Sequence, residues 1–156
     1  MRYTTCMITH ILTDLFDVLL FETNNPLVDE NFTPVIQRLV LNTPLLEEFK
    51  TLKKQGISIN IFTSAPPFSS IQLEKLGLLD FNKIFSTITM GHSKRDFRAF
   101  RDVAKELEVK PAQIFFLDDQ IRHTNAAIEA GYQAATFTSN HQIIEKLKNL
   151  QFAANP

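Results

Sequence analysis

Ile8-Thr9-His10-Ile11-Leu12-Thr13-Asp14 and Ile114-Phe115-Phe116-Leu117-Asp118-Asp119 are two short apolar runs that each end in aspartate. In an open parallel sheet, ligands bind outside the carboxyl ends of the strands. Two strands that each deliver a carboxylate to that edge can hold a hard cation such as Mg²⁺ between them. Further apolar runs fall at 57–63, 83–89 and 132–137. They are continuous rather than alternating, as expected of strands covered on both faces.

Helical patterns lie between the runs. Thr43 can cap a helix with Pro44 at its first position, with Leu45, Leu46, Phe49 and Leu52 on one face. A longer helix is predicted from Ser93 to Glu108, with Phe97, Phe100, Val103, Ala104 and Leu107 as its buried stripe. Asn140 is placed as the cap of a last helix carrying Ile143, Ile144, Leu147 and Leu150. Gly56, Gly77 and Gly131 stand where helices should stop. Strands alternating with helices predict βαβ units around a parallel sheet. The expected fold is therefore α/β: a three-layer sandwich around five parallel strands.

At 156 residues the chain reads as one domain spanning 1–156. A chain of this size buries roughly 68–70 % of its unfolded surface and needs no covalent staples. The net charge of −1 carries no footprint for nucleic acid. Cys6, the only cysteine, excludes an internal disulfide and a cysteine zinc cluster, and is expected to be buried. No apolar stretch approaches the roughly 18 residues of a membrane span. Met1 to Cys6 lacks the apolar region of a signal peptide, so a soluble cytoplasmic protein is the expectation. The segment 21–42 departs from the pattern. Glu22 to Pro26 reads as a loop and Pro34 to Leu41 as a short helix, either a flap beside the strand ends or a surface crossover.

Four features fall where the strand ends converge: Asp14 within Asp14-Leu15-Phe16-Asp17, Thr63-Ser64, Lys94 within His92-Ser93-Lys94-Arg95, and Asp118-Asp119. Their order and spacing resemble the haloacid dehalogenase-like (HAD-like) hydrolase superfamily over nearly the whole chain, from Ile8 to Thr138, which implies a Rossmann-like sheet with its five parallel strands in the order 3-2-1-4-5. The resemblance implies that Asp14 is a nucleophile forming a covalent aspartyl intermediate. It implies that Thr63, with Ser64 beside it, holds phosphoryl oxygens, and that Lys94 neutralises charge on the nucleophile and the transferring group. It implies Mg²⁺ held by Asp14, the Phe16 backbone carbonyl and Asp119, with Asp118 a further candidate ligand. The implied substrate is a phosphorylated small molecule or macromolecule.

One position departs from the family. Most phosphatases of the superfamily carry a second aspartate two residues after the nucleophile, which protonates the leaving group and then activates water. Here that residue is Phe16, which can do neither. A positioned acid/base typically contributes about 10²–10⁴-fold in rate. Asp17, one residue on, stands where glycine is usual and is a candidate substitute. Two rival readings follow: a degenerate member that binds a partner or an anion without catalysis, and a dehalogenase attacking carbon. The 21–42 segment is too short for a dehalogenase cap. Capless members act on large substrates or assemble into oligomers in which a neighbour covers the site. His123 falls where relatives often have Asn or Asp and is a candidate for orienting the Asp119 loop. His10 is expected to be a satisfied interior histidine. His92 and His141 are expected at the surface, and Arg98, Arg101 and Lys105 on a solvated helix face.

Overall fold

The computed structural model describes residues 6–23 and 35–153. Among these, the elements run β1 (His10–Thr13), β2 (Leu20–Glu22), β3 (Leu39–Leu41), α1 (Thr43–Lys54), β4 (Ser58–Thr63), α2 (Ser70–Leu76), β5 (Lys83–Ser86), α3 (Thr87–Met90), α4 (Phe97–Glu106), β6 (Ile114–Asp118), α5 (Ile121–Glu129), β7 (Gln133–Thr136) and α6 (Asn140–Lys148). The main sheet has five strands in the order β5-β4-β1-β6-β7, all parallel. Counting only these strands, the order is 3-2-1-4-5, as the family resemblance implies.

Consecutive strand residues point to opposite faces, and the core divides accordingly. Ile11, Ile61, Phe115 and Leu117 pack with Leu45, Phe49 and Leu52 of α1 and with Ile143 and Leu147 of α6. Leu12, Phe62 and Phe116 pack with Ala99, Phe100 and Val103 of α4 and with Ala126 and Ala127 of α5. A helix layer therefore covers each face of the sheet. On the second face Phe62, Phe100, Phe116 and Tyr132 form edge-on aromatic contacts, and Tyr132 Oη donates to the Phe100 carbonyl at 2.6 Å. Full burial of each such ring stabilises the fold by about 1.5–3 kcal/mol.

Register sets the site. Thr13 pairs with Ile61 on one side and with Leu117 on the other, and Thr63 pairs with Ser86. The ends of β1, β4 and β6 therefore lie level. Asp14, Thr63 and Asp118 meet at one edge of the sheet.

The structure corrects several local expectations. The 34–41 helix is instead a 3₁₀ turn at Val35–Arg38 followed by β3, which pairs antiparallel with β2 through Leu20↔Leu41 and Glu22↔Leu39. Pairing wins because Leu39 and Leu41 also reach the main core, and Arg38 Nη1 meets Glu22 Oε1 at 2.6 Å. The Glu22–Pro26 loop expectation falls largely on 24–34, outside the described residues. Asn42, not Thr43, stands at the cap position of α1 but makes no side-chain cap bond, and α6 is capped by Ser139, whose Oγ accepts from Gln142 N at 3.1 Å. Asn42 and Asn140 instead exchange two amide hydrogen bonds at 2.7 and 2.8 Å, and Asn42 also donates to the Val18 carbonyl. The predicted 93–108 helix shortens to α4 because Asp96 accepts from Arg98 N at 2.9 Å and caps it there. The 83–89 run ends as a strand at Ser86, whose Oγ accepts from Ile88 N and opens α3. Cys6 is only partly buried.

Candidate active site

Asp14 follows directly on β1. Its backbone N–H donates to the Leu117 carbonyl of the neighbouring strand at 2.8 Å, which fixes where the side chain starts. Oδ1 accepts from Leu15 N at 2.8 Å and from Lys94 Nζ at 2.5 Å. Lys94 Nζ also donates to Asp118 Oδ2 at 3.0 Å. Lys94 is 2 % exposed and Asp118 fully buried. A lysine this deep keeps its charge only against carboxylates, and here it has two. Phe62 and Phe116 lie beneath its ammonium at 5.4 and 6.0 Å.

Lys94 lies in the turn before α4 rather than at a helix start, three residues from the first helical residue. Asp96 N donates to the Ser93 carbonyl at 3.0 Å and closes that turn, which turns the lysine inward.

Asp118 Oδ1 accepts from Gln120 N at 2.9 Å and contacts His123 Nδ1 at 3.0 Å. Burial alone would push its pKa up, but the His123 hydrogen bond and the Lys94 charge outweigh it and hold Asp118 below the ordinary carboxylate range. Asp14 goes the other way. Burial, with the Asp118 charge adding to it, lifts its pKa to about 6 despite Lys94. Asp119 is half-buried and is also raised, first by burial and then by the charges of Asp118 and Asp17. A pair of carboxylates with such different affinities for a proton is a common mark of functional sites.

The cleft around these groups encloses about 150 Å³ and is lined by Asp14, Phe16, Asp17, Thr63, Ser64, Ala65, Lys94, Asp119, Gln120 and His123. Every site residue proposed from the sequence except Asp118 borders it directly, and Asp118 supports it from beneath. Thr63 is buried and its Oγ1 accepts from Ala65 N at 3.1 Å, which fixes the turn after β4. Ser86 Oγ donates to the Ala65 carbonyl at 2.6 Å and ties that turn to β5. Ligand oxygens of Asp14, Asp118 and Asp119 lie within 4.8 Å of one another. Hard oxygen donors so grouped suit Mg²⁺, which takes one or two carboxylates and completes its shell with water and substrate oxygens.

Phe16 stands in the cleft wall, half-buried, bridged to Leu20 at the root of the β2–β3 hairpin. Asp17 is exposed and adopts φ +61°, a left-handed conformation that glycine takes without penalty. Its N–H donates to the Leu20 carbonyl at 2.9 Å.

The remaining histidines divide as expected for His10 and His141: the His10 ring meets Thr9 Oγ1 at 2.8 Å, and His141 is exposed. His92 is less exposed than a free loop residue, lying 3.7 Å from Asp96 and 3.6 Å from Asp102. His123 contacts Asp118 rather than the Asp119 loop. That contact, Gln120 in the cleft and the Asn42–Asn140 pair were not legible in the sequence. A histidine five residues after the first acid of Asp118-Asp119 was the only signal for the first of them.

The family model of haloacid dehalogenase-like hydrolases matches residues 34–131. That match begins after Asp14, so the first motif rests on the sequence run and the geometry above. An enolase-phosphatase E1 of Picosynechococcus is 32 % identical over 98 residues, 58 % of this chain and 41 % of the relative. Flavin mononucleotide hydrolase 1 of Arabidopsis thaliana is 28 % identical over 105 residues, covering 67 % of this chain and 43 % of that protein. The chain thus spans about two fifths of these curated relatives. A hydrolase from Streptococcus pneumoniae superposes with TM-score 0.72 at 13 % identity, covering 90 % of this chain and 98 % of the other. A HAD family enzyme from Bacteroides thetaiotaomicron, in complex with magnesium and inorganic phosphate, gives TM-score 0.60 at 16 % identity, covering 84 % and 94 %.

Proposed function

The chain belongs to the haloacid dehalogenase-like hydrolases, and from that premise we propose that it is a Mg²⁺-dependent phosphohydrolase working through an aspartyl phosphate on Asp14. The observation that carries this reading is the buried Asp14–Lys94–Asp118 chain at the bottom of a small cleft. Phosphatases among the relatives and a magnesium–phosphate complex of a structural neighbour support it.

Asp14 Oδ1 is occupied by Leu15 N and Lys94 Nζ, which leaves Oδ2 as the attacking oxygen. Oδ2 bonds to phosphorus as the ester P–O bond breaks, giving the aspartyl phosphate. Thr63 Oγ1, Ser64 and the backbone amides of the turn after β4 orient the phosphoryl oxygens. Lys94 offsets charge on the nucleophile and on the transferring group. Bound Mg²⁺, held by Asp14, Asp119 and the Phe16 carbonyl, with Asp118 close by, would neutralise charge between the phosphoryl group and Asp14. Water then attacks phosphorus, and the Asp14 carboxylate leaves. No side chain at position 16 can activate that water, so the aspartyl phosphate should accumulate. The substrate would be a phosphorylated small molecule or macromolecule.

The test is intact-mass detection of one acid-stable phosphoryl adduct after mixing with Mg²⁺ and acetyl phosphate. An adduct present in the native chain and absent in Asp14→Asn supports the assignment. A folded, Mg²⁺-binding protein that gives no adduct would instead support binding without turnover, the second reading that Phe16 favours.

A further inference from the structure

Among the described residues, position 16, where the resemblance places the acid that protonates the leaving group, carries no proton donor. The residue lining that position is Phe16, and its ring has nothing to donate. The other titratable groups that line the cleft among the described residues are Asp14, Asp17, Lys94, Asp119 and His123. His123 Nδ1 is engaged with Asp118 Oδ1 at 3.0 Å. Lys94 Nζ donates to Asp14 and Asp118, and Lys94 is 2 % exposed. Asp119 belongs to the carboxylate group around Asp14 and Asp118. Asp17 is exposed at the cleft, with φ +61° and its backbone N–H donating to the Leu20 carbonyl; its carboxylate is the group that the Asp17→Asn arm of the test removes. Thr63, Ser64 and Gln120 are not acids at neutral pH.

We infer that this site, on the reading that Asp14 is the nucleophile, takes phosphoryl compounds whose leaving group departs as a stable anion, namely acyl and aryl phosphates, in preference to alkyl phosphate esters. The chemistry follows from the electron pair. When Asp14 Oδ2 bonds to phosphorus, the P–O bond to the leaving group breaks and that oxygen keeps both electrons. A departing carboxylate has a conjugate acid of about 4, and a phenolate about 10. Neither needs a proton from the protein. A departing alkoxide is about as basic as hydroxide, whose conjugate acid is about 15.7, and it leaves well only if it is protonated as it goes. In the second step water adds to phosphorus and the Asp14 carboxylate leaves. Both protons of the water end on the phosphate product, so the balance closes without an acid from position 16. The aspartyl phosphate is itself an acyl phosphate, so the step that releases Asp14 uses the same kind of leaving group.

The experiment measures adduct formation on Asp14 by rapid quench and intact mass, with Mg²⁺ and four donors: acetyl phosphate, 4-nitrophenyl phosphate, phenyl phosphate and glycerol 3-phosphate. The expected result is a rate that falls steadily along that series, by at least about 100-fold from first to last. In Phe16→Asp the glycerol 3-phosphate rate should rise by about 10²–10⁴-fold while acetyl phosphate changes less than tenfold. Phe16→Asn, polar but unable to donate a proton of that acidity, should leave the native slope in place. Equal rates across the series in the native chain would overturn the inference. So would a shallow slope that steepens in Asp17→Asn or His123→Gln, because that residue would then be the missing donor. If Phe16→Asp does not fold, the native series alone still decides. No adduct from any donor would instead refute Asp14 as the nucleophile.

Discussion

Replacing Lys94 with methionine isolates what holds the centre of the site together. The ammonium sits 2.5 Å from Asp14 Oδ1 and 3.0 Å from Asp118 Oδ2. At those distances each contact carries about 5–7 kcal/mol of gross attraction at an effective dielectric of about 20. Much of this is offset by taking the lysine out of water, so the pair's net contribution is far smaller. Removing one partner is a different perturbation. It leaves two like-charged carboxylates, Asp14 and Asp118, buried together without a cation. Breaking a buried pair in this way costs about 3–5 kcal/mol. Methionine keeps the length and the apolar stem that packs on Phe62 and Phe116, so little of the loss should come from packing. The assay is urea unfolding of Lys94→Met against the native chain, at pH 7 and pH 4.5, without divalent ions and with Mg²⁺. The expected loss at pH 7 is about 3–5 kcal/mol. It should shrink at pH 4.5, where Asp14 takes up a proton and the repulsion disappears. Added Mg²⁺ should restore part of it, because a bound cation stabilises the folded state in proportion to its occupancy. A loss under about 1 kcal/mol at pH 7, or one that does not change with pH, would refute the claim that the lysine is the counter-charge of the two aspartates.

Three other outcomes are expected. Burial pushes the Asp14 carboxyl up to about 6, against 3.8 ordinarily. Between those values the folded state binds more protons than the unfolded one, so this group's contribution favours folding at low pH and is lost as pH rises toward 6. Calorimetric titration of Mg²⁺ at pH 6 in two buffers should show proton release, and Asp14→Asn should reduce it. Gly77 has φ +70° and a Cβ there would stand 2.9 Å from Leu41 Cδ1, whereas Gly91, at φ +76°, has open space. Gly91→Ala should cost about 1–2 kcal/mol, and Gly77→Ala more, with thermal unfolding ranking the two; the reverse order would show that the Leu41 approach is unimportant. Asn42 and Asn140 exchange reciprocal amide bonds, and Asn42 is 4 % exposed. Asn42→Ala should cost about 1–3 kcal/mol, and the double variant with Asn140→Ala should show coupling of about 0.5–3 kcal/mol, where strict additivity would mean the pair is not a unit.

The strands and the level of their ends are readable from the chain, because each buried strand is a run of apolar side chains and each run ends in the residue that faces the site; their order came with the family resemblance. Asp14, Thr63 and Asp118-Asp119 announce themselves in this way. Helix starts were placed a few residues off. Ser, Thr, Asn and Asp all suit a cap, and only the fold decides which is available: Asn140 was diverted to Asn42, so Ser139 took the cap. The 35–41 segment was misread because Leu39-Val40-Leu41 is too short to show its period. It became a strand only because β2 was there to pair with it.

What the sequence by itself determined is the set of groups and the edge they share: one nucleophile candidate, one lysine, paired acids, and phenylalanine where an acid is usual. Tertiary structure alone decided their charge states. Lys94 and Asp118 are 24 residues apart, and Lys94 and Asp14 are 80 apart. Burial and the distances between these groups arise only once the sheet closes. That closure raises Asp14, lowers Asp118 and assigns His123 to Asp118. The desolvation and Coulomb terms that set protonation depend on position in space, which no local stretch of chain encodes.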